Sequence, residues 1–130
     1  IKSSAASDVY KRQDSNSILS FESLYCVGGY VTYKILISAS GFSGHCNFCI
    51  EEKTIQDHIK CIDIMADSLS GEMIIRDCES DAFLKLYFED PMNFYVLGQI
   101  GGSHEDNILK FKLKADQTLL SGFKNALWDY

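Results

Sequence analysis

Proline, long apolar runs and basic residues are scarce in this sequence. One proline and nine glycines in 130 residues, with 46% hydrophobic residues, exclude a low-complexity or disordered chain. No apolar run approaches the ~20 residues of a membrane-spanning helix, and the sequence shows no apolar segment of the signal-peptide type. The net charge of −6 argues against nucleic-acid binding, which needs clustered positive charge. We therefore expect a cytoplasmic protein that binds neither membranes nor nucleic acid.

The first sixteen residues differ in character from the rest of the chain. They are polar, show neither strand nor helix periodicity, and carry one more base than acid. The string DVYKRQ at residues 8–13 resembles a translated sequencing adaptor. We therefore expect residues 1–16 to be a disordered or artefactual leader. Residues 17–130 are expected to form a single domain, slightly more acidic than the whole chain.

Alternation of apolar and polar residues predicts the strands. Residues 30–38 alternate cleanly, with Tyr33 and Ile35 on one face and Thr32 and Lys34 on the other. The same pattern, punctuated by turn-forming residues, predicts strands at residues 24–27, 30–38, 45–52, 72–77, 82–89, 94–100 and 108–114.

Two segments have helical spacing instead. Ile55, Ile59 and Ile62 recur at steps of three and four after Thr54, which is predicted as the N-cap. A second helix is predicted after a capping Asp116, and its buried stripe consists of Leu119, Leu120, Phe123 and Leu127. Together the elements predict an α+β fold: an antiparallel sheet of about six strands, with one helix inserted after the third strand and one C-terminal helix.

The cysteines raise the question of a metal site. Five cysteines cannot all pair within one chain, so free thiols in a reducing compartment are expected. Cys46, Cys49, His58 and Cys61 imitate zinc-ligand spacing, and a small metal- or ligand-binding domain built on them is the alternative function. Residues three apart on a strand point to opposite faces, however, so Cys46 and Cys49 are expected to diverge. The main expectation is therefore no metal and no cofactor.

A search for catalytic residues gives a negative result. None of the cysteines lies in a recognisable nucleophile motif, and no carboxylate pair matches an acid–base arrangement. The glycine pairs at residues 28–29 and 101–102 match neither a dinucleotide-binding motif nor a phosphate-binding loop. We therefore expect a protein that is not an enzyme.

Three segments carry a resemblance to a known family. They are the strand end Ser40-Gly41-Phe42, the helix over 54–69 that runs into Gly71, and the C-terminal block over 95–119. In that block a glycine-interrupted strand, a hairpin and a second strand lead to a helix start of sequence DQTL. Over residues 33–127 the chain resembles the WapI-type immunity proteins, which are small cytosolic antitoxins of bacterial polymorphic and contact-dependent toxin systems.

The resemblance implies a non-catalytic protein that binds one cognate toxin tightly and blocks its active site or an adjacent surface. It transfers no binding residue, because these vary with the toxin. From the charge pattern, an acidic surface that docks on a basic toxin is expected, with carboxylates that imitate substrate phosphates. The candidate partner-binding residues are Asp57, Asp63, Asp67, Asp77, Glu79, Asp81, Glu89 and Asp90.

Overall fold

The computed structural model describes residues 17–102 and 106–130, together with the backbone of residues 8–12. No helix in these parts of the chain is long and apolar enough to cross a membrane. The elements in chain order are β1 (Asp8–Arg12), β2 (Ser17–Val27), β3 (Tyr30–Ala39), β4 (Phe42–Glu51), α1 (Glu52–Ser68), β5 (Glu72–Arg76), β6 (Phe83–Asp90), β7 (Asn93–Gly101), β8 (Ile108–Ala115) and α2 (Thr118–Trp128).

The strands form two four-stranded antiparallel sheets, sheet A with the order β1-β2-β3-β4 and sheet B with the order β5-β6-β7-β8. The α+β class is confirmed, as are the helix after the third predicted strand and the C-terminal helix. The expected single sheet of six strands is instead two sheets. Helix α1 separates β4 from β5 in the chain, and within the described residues no ladder joins those two strands.

Part of the expected leader belongs to sheet A. Strand β1 pairs antiparallel with β2, with Arg12 opposite Ser17 and Lys11 opposite Ile18. Residues 1–7 and 13–16, which make up the rest of that segment, lie outside the described residues.

Strand β2 is much longer than the segment predicted at residues 24–27. A bulge between Ser23 and Tyr25 shifts its register against β3. Before the bulge Leu19 and Phe21 point into the core, whereas Tyr25 and the residues after it are exposed. The bulge therefore exchanges the faces to which odd- and even-numbered side chains point. Because the alternation is not continuous along the strand, a period-two pattern does not reveal its full length.

The helix ends agree with the sequence only in part. Helix α1 begins at Glu52, so Thr54 lies inside it and its prediction as the N-cap is wrong. The helix ends where Leu69 adopts a left-handed conformation, just before Gly71. At the start of α2 the N-cap is Gln117 and makes no side-chain cap bond, so Asp116 stands one residue before the cap. Asp116 Oδ1 still accepts a hydrogen bond from the backbone N–H of Thr118 at 2.9 Å.

A single apolar core joins both sheets and both helices. Tyr33 on β3 is fully buried at its centre, and its ring stacks on Phe21 with 4.5 Å between ring centroids. The Tyr33 hydroxyl donates a hydrogen bond to the backbone carbonyl oxygen of Leu127 at 2.7 Å. Burial raises the pKa of Tyr33 far above its ordinary value, so the hydroxyl remains a donor. This bond attaches the last turn of α2 to sheet A.

We predict that Tyr33→Phe destabilises the domain by about 1–2 kcal/mol, because the buried carbonyl of Leu127 loses its partner. Urea unfolding followed by circular dichroism measures the change. Tyr25→Phe is the matched control, because the Tyr25 ring is 57% exposed and the same atom is removed. Equal effects of the two substitutions would contradict the role given to the Tyr33 hydroxyl.

Candidate functional site

The free edge of β4 meets the turn between β5 and β6. The backbone N–H of Cys49 donates to Oδ1 of Asp77 at 2.9 Å, and the N–H of Cys78 donates to the Cys49 carbonyl oxygen at 3.1 Å. Both backbone groups of Cys49 are therefore bound by a turn that follows it by 28 residues or more. These bonds link the edge of sheet A to sheet B.

Asp77 is the centre of this junction. Its side chain is buried, with a relative exposure of 8%. Besides the Cys49 bond, it accepts hydrogen bonds from the N–H of Glu79 at 3.2 Å and from the hydroxyl of Ser80 at 2.5 Å. Its carboxylate is therefore engaged by hydrogen bonds within the fold, and partner binding by Asp77 stays a prediction.

A group of metal-binding atom types lies at the same junction. The Sγ atoms of Cys49 and Cys78 and a carboxylate oxygen of Glu79 all lie within 4.8 Å of one another. In the parts of the chain that the structure covers, this is the one group of three such ligands. Burial is the main cause that raises the pKa of the Cys49 thiol to about 12, and the Cys78 hydrogen bond and the Glu79 charge add to it. The surroundings of Cys49 therefore disfavour the deprotonated form of its thiol.

A groove opens beside this group on the outer face of sheet A. We call it the hairpin groove, because the β2–β3 hairpin forms one wall. Its volume is about 570 Å³. The residues that line it are Tyr25, Val27, Tyr30, Thr32, Asn47, Cys49, Cys78 and Glu79.

The four cysteine and histidine residues of the alternative metal site do not come together. Cys46 packs against the core, while Cys49 lies on the opposite face of β4, as the strand geometry predicted. Cys61 on α1 also packs against the core, and its thiol donates to the Glu72 carbonyl oxygen at 3.9 Å. Cys49 has a different partner, Cys78. Nothing in the spacing of the two cysteines could reveal this pairing, since it arises from tertiary structure.

The acidic residues predicted on α1 are exposed, but their face is mixed in charge. Asp57, Asp63 and Asp67 share it with lysines such as Lys60. Asp63 forms an ion pair with Lys124 of α2, with 2.7 Å between Nζ and Oδ1. This pair ties the two helices together, and the face is less acidic than the three aspartates alone suggest.

The acidic residues in the turns lie at two separate places. Glu79 and Asp81 precede β6, while Glu89 and Asp90 stand at its other end. The eight residues of β6 span about 26 Å at the ~3.3 Å rise of a strand. The structure therefore does not gather the predicted partner-binding residues into one surface. Of these residues, Glu79 is the one that lines the hairpin groove.

The outer face of sheet B is basic. Lys110, Lys112 and Lys114 alternate along β8 with buried residues and are exposed. Lys112 stands over the ring of Tyr95, with 4.5 Å from Nζ to the ring centroid. Lys85 lies on the same face and has Glu72 at 3.7 Å. Since the chain as a whole is acidic, its negative charge is concentrated on other surfaces.

Two kinds of chemistry fit the hairpin groove. Its tyrosines and the hairpin offer contact area to a protein partner, and its two thiols and one carboxylate offer ligands to a soft metal ion. No protein-family model matches the chain, and no curated protein matches it in sequence.

We predict that Asp77→Ala destabilises the domain by about 2–4 kcal/mol, because three donors lose a charged acceptor at a buried position. Urea unfolding measures the loss. Glu89→Ala is the control, because it removes an exposed carboxylate at the other end of β6. If both variants unfold at the same urea concentration, Asp77 does not hold the junction.

His58 predicts a pH dependence of stability. Burial lowers its pKa below the ordinary value of about 6.5, and its Nε2 is buried with no hydrogen-bond partner. The unfolded chain therefore takes up the proton first as the pH falls. We expect the stability from neutral His58 to be complete above about pH 6.5 and to fall below it, by at most ~1.4 kcal/mol per pH unit.

Unfolding measurements between about pH 7.5 and about pH 5.5 test this expectation about His58. The slope should be shallower in His58→Gln and unchanged in the control His45→Gln, whose histidine is exposed on β4. An unchanged slope in His58→Gln would show that another group causes the dependence.

Proposed function

We propose that this domain is an immunity protein, which binds a bacterial toxin domain in the cytoplasm and blocks it without catalysis or a cofactor. The resemblance over residues 33–127 supports the class of protein. The observation that carries the proposal is the exposed apolar surface of the hairpin groove. The partner is a basic toxin domain, such as a nuclease or another enzyme that acts on RNA or DNA.

The apolar wall of the groove has the character of a binding surface. Tyr25, Val27 and Tyr30 are exposed to 57%, 68% and 43% although all three side chains are large. The three side chains line one groove, and large apolar patches on a protein surface are typical of interaction sites. Tyrosine is also among the residues that contribute most to binding energy at interfaces, because it offers a large rigid surface and one polar atom.

The hairpin is held in place before any partner binds. Gly28 and Gly29 both have positive φ, as a two-residue turn between twisted strands requires. The Gly29 carbonyl oxygen accepts a hydrogen bond from the N–H of Glu52, the first residue of α1, at 2.9 Å. Because the loop is already ordered, binding loses little conformational entropy.

Charge around the groove favours a basic partner. Glu51 lies opposite Tyr30 in the β3–β4 register, and Glu79 lines the groove. The net charge of −6 adds a long-range attraction that raises the association rate. In this proposal Glu79 makes direct contact, while the exposed acids of α1 and of the β6–β7 turn contribute steering.

The test uses the toxin domain encoded next to this protein, in a buffer with a metal chelator. We expect Tyr25→Ala and Tyr30→Ala each to weaken binding about 10- to 100-fold, or ~1.4–2.7 kcal/mol. The control is Trp128→Ala, because this aromatic residue is 64% exposed on α2 and lies outside the groove. Biolayer interferometry measures the rates, and inhibition of the toxin is measured in parallel.

A second pair of variants tests the charge. Glu79→Gln should lower the association rate and its salt dependence more than Glu89→Gln does. If the wild-type domain neither binds nor inhibits the toxin, the proposed function is wrong. If it binds and Trp128→Ala weakens binding more than the tyrosine variants do, the hairpin groove is not the interface.

A further inference from the structure

We propose that Cys49, Cys78 and Glu79 form a binding site for a thiophilic divalent cation, of which zinc is the physiological representative. The proposal does not depend on the immunity function, because the three ligands belong to this chain alone. Two thiolates and a carboxylate are a ligand set that zinc accepts. The site joins the edge of sheet A to the β5–β6 turn and opens into the hairpin groove.

The distances are close to those of a formed site. The two sulfur atoms and the Glu79 oxygen lie within 4.8 Å of one another. Bond lengths of ~2.3 Å to sulfur and ~2.0 Å to oxygen imply ligand atoms ~3.5–3.8 Å apart in a tetrahedral site. Each ligand atom therefore needs to move by about 1 Å or less, which side-chain rotation supplies without movement of the backbone.

The backbone that carries these ligands is fixed. Asp77 accepts hydrogen bonds from the N–H groups of Cys49 and Glu79, and Cys78 N–H binds the Cys49 carbonyl oxygen. Cys49 and Glu79 thus both donate to the buried Asp77 carboxylate, and Cys78 donates to the Cys49 carbonyl oxygen. These backbone bonds hold the ligand residues in place before an ion binds.

The electrostatics also favour a cation. The carboxylates of Glu79 and Asp77 lie close to the Cys49 thiol. The same negative groups that oppose a thiolate would stabilise a divalent cation placed among them. Binding therefore displaces thiol protons to solvent and becomes tighter as the pH rises.

Three protein ligands leave one position of a tetrahedral zinc ion open. We expect this position to be reached from the hairpin groove, which the three ligand residues line together with Thr32 and Asn47. A water molecule would complete the coordination there. The geometry is that of a site accessible from solvent, so the ion exchanges without unfolding of the domain.

The experiment titrates the reduced, chelator-stripped full chain with Cd²⁺ and Zn²⁺. We expect one equivalent of Cd²⁺ to produce the ultraviolet thiolate-to-cadmium charge-transfer absorption. An excess of Zn²⁺ should compete for the same ligands and reduce this absorption, and proton release should accompany binding. Because Cd²⁺ absorption reports sulfur ligation directly, the result does not depend on any activity of the protein.

Variants identify the ligands. Cys49→Ser and Cys78→Ser should lower affinity about 100-fold or more and reduce the absorption per ion, and Glu79→Gln should lower affinity about 10-fold. Cys61→Ser is the matched control and should bind as the wild type, because Cys61 packs against the core away from this group. Circular dichroism checks that each variant is folded, and Cys78→Ser is the safest of them, because Cys78 is exposed.

The proposal is overturned by any of three results. They are the absence of charge-transfer absorption from the wild type at one equivalent, wild-type affinity in Cys78→Ser, and loss of affinity in Cys61→Ser. If the toxin binds in the presence of a chelator but the domain binds no metal, the proposed function stands and the metal site is rejected. The two proposals therefore fail separately.

Discussion

The buried carboxylate of Asp77 is the polar constraint on which the rest of the site depends. Within each sheet, the backbone N–H and C=O groups are paired in that sheet's own ladders. Because β4 is the last strand of sheet A, the groups on its outer edge need partners from another segment. The β5–β6 turn supplies them through Asp77 and Cys78. A buried carboxylate is costly unless donors surround it, and here Cys49, Glu79 and Ser80 provide them. The shape of the turn and the position of β4 therefore specify each other.

The apolar core and this polar junction have separate tasks. The core, with Tyr33 and Phe21 at its centre, holds sheet A against α2 and sets the overall arrangement of layers. On β4 it buries Phe48 and Ile50, which lie in the C-terminal half of the strand. The Asp77 junction contacts β4 in the same half, at Cys49, and brings a turn of sheet B beside the outer face of sheet A. The hairpin groove exists only where these two arrangements meet.

Sequence patterns predicted the elements better than their assembly. Alternation located β3 and β8, and the isoleucine spacing located α1, because each pattern reports burial on one face. The bulge at Ser23 reversed the alternation of β2, and the N-terminus of α1 carries no side-chain cap to mark it. Three features depend on contacts between distant segments: the division into two sheets, the burial of Asp77 and the proximity of Cys49 to Cys78. No local periodicity in the sequence encodes these contacts.

The bond between Gly29 and Glu52 has a consequence for local opening of the domain. The amide of Glu52 opens the first turn of α1, where helices fray most readily, and its acceptor is the tip of the hairpin. Fraying of the helix start therefore breaks the bond that holds the tip of the hairpin, and loosening of the hairpin removes the partner of the helix start. Hydrogen exchange at this amide monitors whether the two segments remain joined.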